Sequence, residues 1–198
     1  MRRALVIVNA HEGFASKTAN PEKHHIDANT DNINKTIEFG ESRGWLIVAG
    51  STLLNGKPAP QLVVVGREIE AQETKDGFKL LGRLRAIKAD CVFKSQKDEK
   101  VEVPTIFLAK NTSGLNLRAF LKEKNVDEVL IAGFDVKEAC IQSSKIGFKT
   151  ILILDCAISD KIPADKWRED VKAMRNAGVS STCISEISSL LPRKIFKL

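Results

Sequence analysis

The chain has 198 residues, 43% of them hydrophobic, with a formal net charge of +6 and a pI near 9.2. That length and apolar content suit one sizeable core, so a single domain over 1–198 is expected, with a divergent region at 51–104. No apolar run approaches the roughly 20 residues that cross a bilayer, which excludes a membrane role read from helices. The opening segment is too briefly apolar for a signal sequence, and no small-residue cleavage pattern follows it.

Residues 4–8 are continuously apolar, as in a strand buried on both faces. Asn29-Thr30-Asp31 offers a helix cap, and Ile33, Ile37 and Phe39 give an apolar face that runs to Gly44. Residues 45–49 read as a second buried strand. The stretch 51–77 is the least regular: 57–60 (Lys-Pro-Ala-Pro) reads as a loop and 61–65 as a strand. Phe78, Leu81, Leu84, Arg85 and Ile87 have helical spacing. Residues 91–93 and 105–109 suggest a hairpin across the charged turn at 95–100. Beyond that the pattern is cleaner. Helices are expected at 116–124, 137–146, 165–176 and 185–191, and strands at 128–133 and 150–154. Gly178 stops the third of those helices. Strands that alternate with helices predict an α/β fold, three-layer α-β-α with a mostly parallel, Rossmann-like sheet.

Four cysteines (Cys91, Cys140, Cys156 and Cys183) are widely spaced and form no C-x-x-C pair. Reduced thiols, mostly buried, in a cytoplasmic or organellar chain are expected. The positive charge suits RNA or an acidic partner. Basic and acidic residues interleave, however, as in Lys94-Ser95-Gln96-Lys97-Asp98-Glu99-Lys100, and tyrosine is absent. A solvated surface is therefore favoured over a nucleic-acid stripe.

The stretch from Val129 to Ser144 is the most informative. An apolar run ends in Gly133, a short turn follows, and Cys140 opens what reads as a helix. Free N–H groups at a helix N-terminus favour a thiolate, and open parallel sheets keep their sites at such turns. Cys140 is thus a candidate nucleophile; a small buried residue on the inner helix face is the equal alternative.

Three segments resemble the isochorismatase-like hydrolase superfamily, which includes nicotinamidases and other cysteine hydrolases. They are Ala4 to Phe14, Leu108 to Leu115, and Gly133 to Ser144 with the following Gly147 to Ala157. The tail Ala173 to Thr182 is also similar. The resemblance implies an Asp, a Lys and a Cys meeting above the sheet's carboxyl edge to hydrolyse a small amide or related C–N bond. It assigns Lys110 as the charge stabiliser, with Lys94 as runner-up, and Cys140 as the nucleophile. It also implies Phe14, Phe134 and Ala139 against a small-molecule substrate, and a homo-oligomer.

Two departures stand out. The first-strand acid is Asn9, which cannot carry a proton at neutral pH and is left as a polar orienter. The resemblance sets the cysteine one position earlier, at Ala139, and one residue of helix rotates a side chain by about 100°. The alternative reading is a catalytically silent relative acting as a binding or assembly protein. No cofactor is expected, because no glycine-rich phosphate loop occurs. No metal is expected either. The resemblance would put histidines after the second strand, where this chain has none, and His24-His25 are adjacent, so their side chains diverge.

Overall fold

The computed structural model describes residues 2–10, 23–50, 106–108, 110, 113–158 and 164–187, with the backbone of 53–54, 57–58, 62–66 and 91–94. The elements are β1 (Arg2–Val8), α1 (Lys23–Ser42), β2 (Leu46–Gly50), β3 (Leu53–Leu54), β4 (Lys57–Pro58), β5 (Leu62–Gly66) and β6 (Cys91–Lys94). A 3-10 turn (Ile106–Leu108) precedes α2 (Leu117–Glu123), β7 (Val126–Phe134), α3 (Lys137–Lys145), β8 (Lys149–Ile158), α4 (Ala164–Asn176), β9 (Ser180–Thr182) and α5 (Ile184–Ile187). The main sheet runs β6-β5-β2-β1-β7-β8-β9. The five strands from β2 to β9 are parallel, and β5 and β6 extend the edge antiparallel.

Side-chain alternation builds the layers. In β1, Ala4, Val6 and Val8 join the core beneath α2, α3 and α4. Leu5 and Ile7 join the opposite core, beneath Ile33 and Ile37 of α1. Both faces are covered, which is why the central strands read as unbroken apolar runs. Cys140 and Cys156 are buried, Cys183 is half-buried, and all three are free thiols. No helix among the described residues is long and apolar enough to cross a membrane.

Several sequence expectations are corrected. Residues 91–94 form β6, which pairs with β5, and Ile106–Leu108, expected in a hairpin strand, is a 3-10 turn. Lys57–Pro58, expected within a loop, pairs with Leu53–Leu54 in a two-residue ladder. The segment Asn29 to Asp31 does not cap α1, which is already helical from Lys23. Asn29 and Thr30 are instead buried within it. The helix expected over Phe78 to Ile87 lies outside the described residues.

Close approach at the carboxyl edge fixes one residue outright. Gly133 adopts φ +114°, and a Cβ there would sit 2.0 Å from the Val8 carbonyl oxygen. Only glycine fits this β1–β7 contact.

Candidate functional site

Beyond Gly133 the chain turns through Phe134 and Asp135 into α3. Asp135 has φ 50° and Asn9 has φ 56°, so both strand ends use left-handed residues. Asn and Asp tolerate that region better than other side chains. The Asn9 backbone N–H donates to the Gly50 carbonyl at 2.8 Å. Its Nδ2 donates to the Phe134 carbonyl at 3.2 Å, and the residue is fully buried. Asn9 therefore ties the carboxyl ends of β2, β1 and β7 together. An ionised carboxylate has no proton with which to make the Phe134 contact.

Cys140 lies in the fourth residue of α3, because the helix starts at Lys137 rather than at the cysteine. Its N–H donates to the Val136 carbonyl at 2.9 Å, closing the first helical turn. That donor is not open to an anion. The side chain is fully buried in the apolar core that includes Val8, Ile131 and Val136. Burial pushes the Cys140 thiol far above the ordinary thiol range, so it stays protonated at neutral pH. Ala139 is also buried and shares that core.

The Phe134 ring is fully buried in the opposite core, beneath α1. Lys110 is half-buried and forms an isolated antiparallel bridge with Asn116. Asn116 also caps α2, its Oδ1 accepting from the Ala119 N–H at 2.8 Å. The 3-10 turn before Lys110 contacts both α2 and α3, which brings this corner of the chain beside the cysteine helix. Lys94 ends the outer edge strand β6, with β5 and β2 between it and β1. Phe14 and His11 lie outside the described residues, as do the side chains of His24, His25 and Asp27. Among the described residues no group of three or more His, Cys, Asp or Glu could hold a metal ion.

A second polar cluster occupies this edge, where the sequence pattern predicts none. Between Ile131–Leu152 and Gly133–Ala157 the β7–β8 register slips by three residues, all on β8. Bulges of this kind re-aim side chains beside functional sites. Asn32 Nδ2 donates to the Asp155 carbonyl at 2.9 Å, and Thr36 Oγ1 lies 3.4 Å from Cys156 Sγ. The two Asp155 carboxylate oxygens each lie 3.1 Å from the Ile184 N–H, capping α5. Cys156 is pushed up to about 12, mainly by burial. The half-buried Cys183 is raised by burial and then by Asp155 and Glu186. The one sign in the sequence is an acid, Asp155, directly after the apolar run Ile151 to Leu154.

No family model matches the chain, and no curated protein matches it by sequence. Solved structures do. The pyrazinamidase of Pyrococcus horikoshii superposes with a TM-score of 0.56 at 18% identity, covering 92% of this chain and 99% of that one. N-carbamoylsarcosine amidase from Thermoplasma acidophilum gives 0.58 at 16% identity, over 92% and 96%. This chain has the isochorismatase-like hydrolase fold. The yeast nicotinamidase bound to nicotinaldehyde gives 0.55 at 13% identity, over 91% and 99%. At 13–18% identity the likeness is one of fold.

Proposed function

We propose that this chain uses the isochorismatase-like fold as a binding or assembly protein and does not hydrolyse amides through Cys140. The observation that carries this reading is the state of Cys140. Its side chain is fully buried in the apolar core and its N–H is committed inside α3, and that burial disfavours the thiolate. Asn9 supports it from the other side, since its amide is engaged in holding Phe134 and offers no proton-carrying group. A nucleophilic thiol needs an electropositive, partly exposed setting. The competing reading is hydrolysis of a small amide, with Cys140 as nucleophile and Lys110 as charge stabiliser.

Native protein is treated with iodoacetamide at pH 7.5 and mapped by mass spectrometry. In parallel it is assayed against nicotinamide, pyrazinamide and N-carbamoylsarcosine. Cys140 is expected to label only after unfolding, and no amide is expected to turn over. Fast native labelling of Cys140, together with turnover that Cys140→Ala abolishes, would sink the proposal.

A further inference from the structure

We propose that the amino edge of the sheet, opposite the Asn9 corner, is a docking surface for the phosphate backbone of single-stranded nucleic acid. The proposal does not depend on what the Cys140 region does. Each of the five parallel strands starts beside a cation, and contacts join those starts into one row. Arg43 lies over the Phe39 ring at 5.4 Å, and that ring meets Trp45, at the start of β2, edge-on at 5.5 Å. Trp45 carries Arg3 of β1 at 5.5 Å. Arg2 Nη1 donates to the Lys124 carbonyl at 3.3 Å, just before β7. Lys122 Nζ donates to the Gly147 carbonyl at 3.2 Å and lies 4.4 Å from the Phe148 ring, just before β8. Ser144, beside Lys145, donates to the Ala177 carbonyl at 2.6 Å, which brings in Arg175 at the end of α4. Strands about 4.8 Å apart make this row about 19 Å long.

Arg2, Arg43, Lys122, Lys124, Lys145 and Arg175 make no ion pair with any described carboxylate. All but the half-exposed Arg2 are exposed. Among the described residues, the acids on the same edge are Glu41, Glu123 and Asp127, which pair with none of them, and Glu128, which is buried and held by Arg3 and Lys149. Cations near helix C-termini complement the macrodipole, and that accounts for one per helix. Arg2 on β1 and the second lysine at the end of α2 fall outside that rule, though each also makes a local contact. The half-buried rings Phe39 and Phe120 each stand four residues before a cation, Arg43 and Lys124, which lies over the ring. A positively charged edge is what tracks the backbone of a single strand, and here the rings hold the cations in place rather than standing open to bases. In the sequence these pairs are hidden, because helical spacing and the sheet order bring them together.

The test is fluorescence anisotropy of labelled oligouridine and oligothymidine, roughly 20 nucleotides long, with the full chain at several salt concentrations. Affinity should fall steeply with salt, with a log–log slope of about −0.7 per phosphate contacted. Lys122→Glu/Lys124→Glu and, separately, Lys145→Glu/Arg175→Glu should each weaken binding about tenfold and flatten that slope by about one or more. Lys166→Glu, an exposed change at the opposite end of α4, should leave both unchanged. Tighter binding of the ribose strand would assign RNA; equal binding would assign the backbone alone. Salt-independent or absent binding, equal loss from Lys166→Glu, or competition by polyglutamate as strong as by the oligonucleotide would overturn the proposal. Preference for phosphatidylserine vesicles over either strand would overturn it too.

Discussion

At Asn9 one atom decides what a position can do. The amide supplies a donor to the Phe134 carbonyl, while the backbone N–H, set by φ 56°, holds Gly50. Replacing Asn9 with Asp tests whether the position is a lost general base or a structural tie. The introduced carboxylate would face a carbonyl oxygen in a fully buried site, so its folded pKa should rise above the unfolded value of about 3.9. A raised acid means that the folded state binds more protons between those two values, so stability falls as pH rises through that window. Asn9→Asp should therefore match the parent protein near pH 3.5 to 4 and be less stable at pH 8, by about 2 kcal/mol. Urea unfolding at both pH values measures this. A variant equally stable at both, with new turnover of nicotinamide, would instead favour the lost-base interpretation. Cys140 was legible as special in the sequence through its place after a strand and turn. Its burial stood there only as the equal alternative, because whether the side chain faces a cleft or the core depends on where α3 begins, and Lys137 and Val136 settle that.

Among the elements, those with long apolar periodicity were readable and those defined by their partners were not. The strands at 4–8 and 128–133 emerge as β1 and β7, each lengthened at one or both ends. β9 is only three residues long and exists because Ser180 to Thr182 pairs with Ile151 to Ile153; nothing local marks it. The supposed hairpin at 91–93 and 105–109 failed for the same reason, since the partner of β6 lies upstream in β5. Helix packing gives a sharper test. Lys137 of α3 reaches Asp170 of α4 at 2.6 Å; Asp170 is buried, and Lys137 is one-third exposed. The hydrogen bond to Asp170 is the largest of the effects holding the Lys137 ammonium above its ordinary value. The two partners should respond unequally to removal. Lys137→Met leaves a buried carboxylate uncompensated and should cost about 2–3 kcal/mol. Asp170→Asn leaves Lys137 free to turn toward water and should cost about 1 kcal/mol. Chemical denaturation of both variants checks this ordering; equal losses would mean that the bond contributes no more than an exposed pair.

The molecule divides its two sheet ends between different demands. At the carboxyl edge, left-handed residues, a three-residue slip and a bare glycine contact leave side chains aimed by backbone geometry. At the amino edge, charge does the tying. Glu128, fully buried at the start of β7, is bridged by Arg3 of β1 and by Lys149 of β8 at 2.6 Å. Three adjacent parallel strands therefore share one carboxylate, where no local turn could join them. The Arg3 side chain is nearly buried, while that of Lys149 is 56% exposed, so the three members are not equivalent. Glu128→Gln keeps the shape but removes the charge facing a buried guanidinium, and should cost about 3 kcal/mol. Lys149→Met removes a solvent-screened partner and should cost less than about 1 kcal/mol. Arg3→Met/Glu128→Leu removes the buried pair together and should recover most of the loss, as well-packed apolar replacements of buried pairs do. Urea midpoints of the three variants distinguish the cases. If Glu128→Gln lost no more than Lys149→Met, the carboxylate would be a passenger on an edge already fixed by the ladder, and the parallel strands would need no electrostatic clasp.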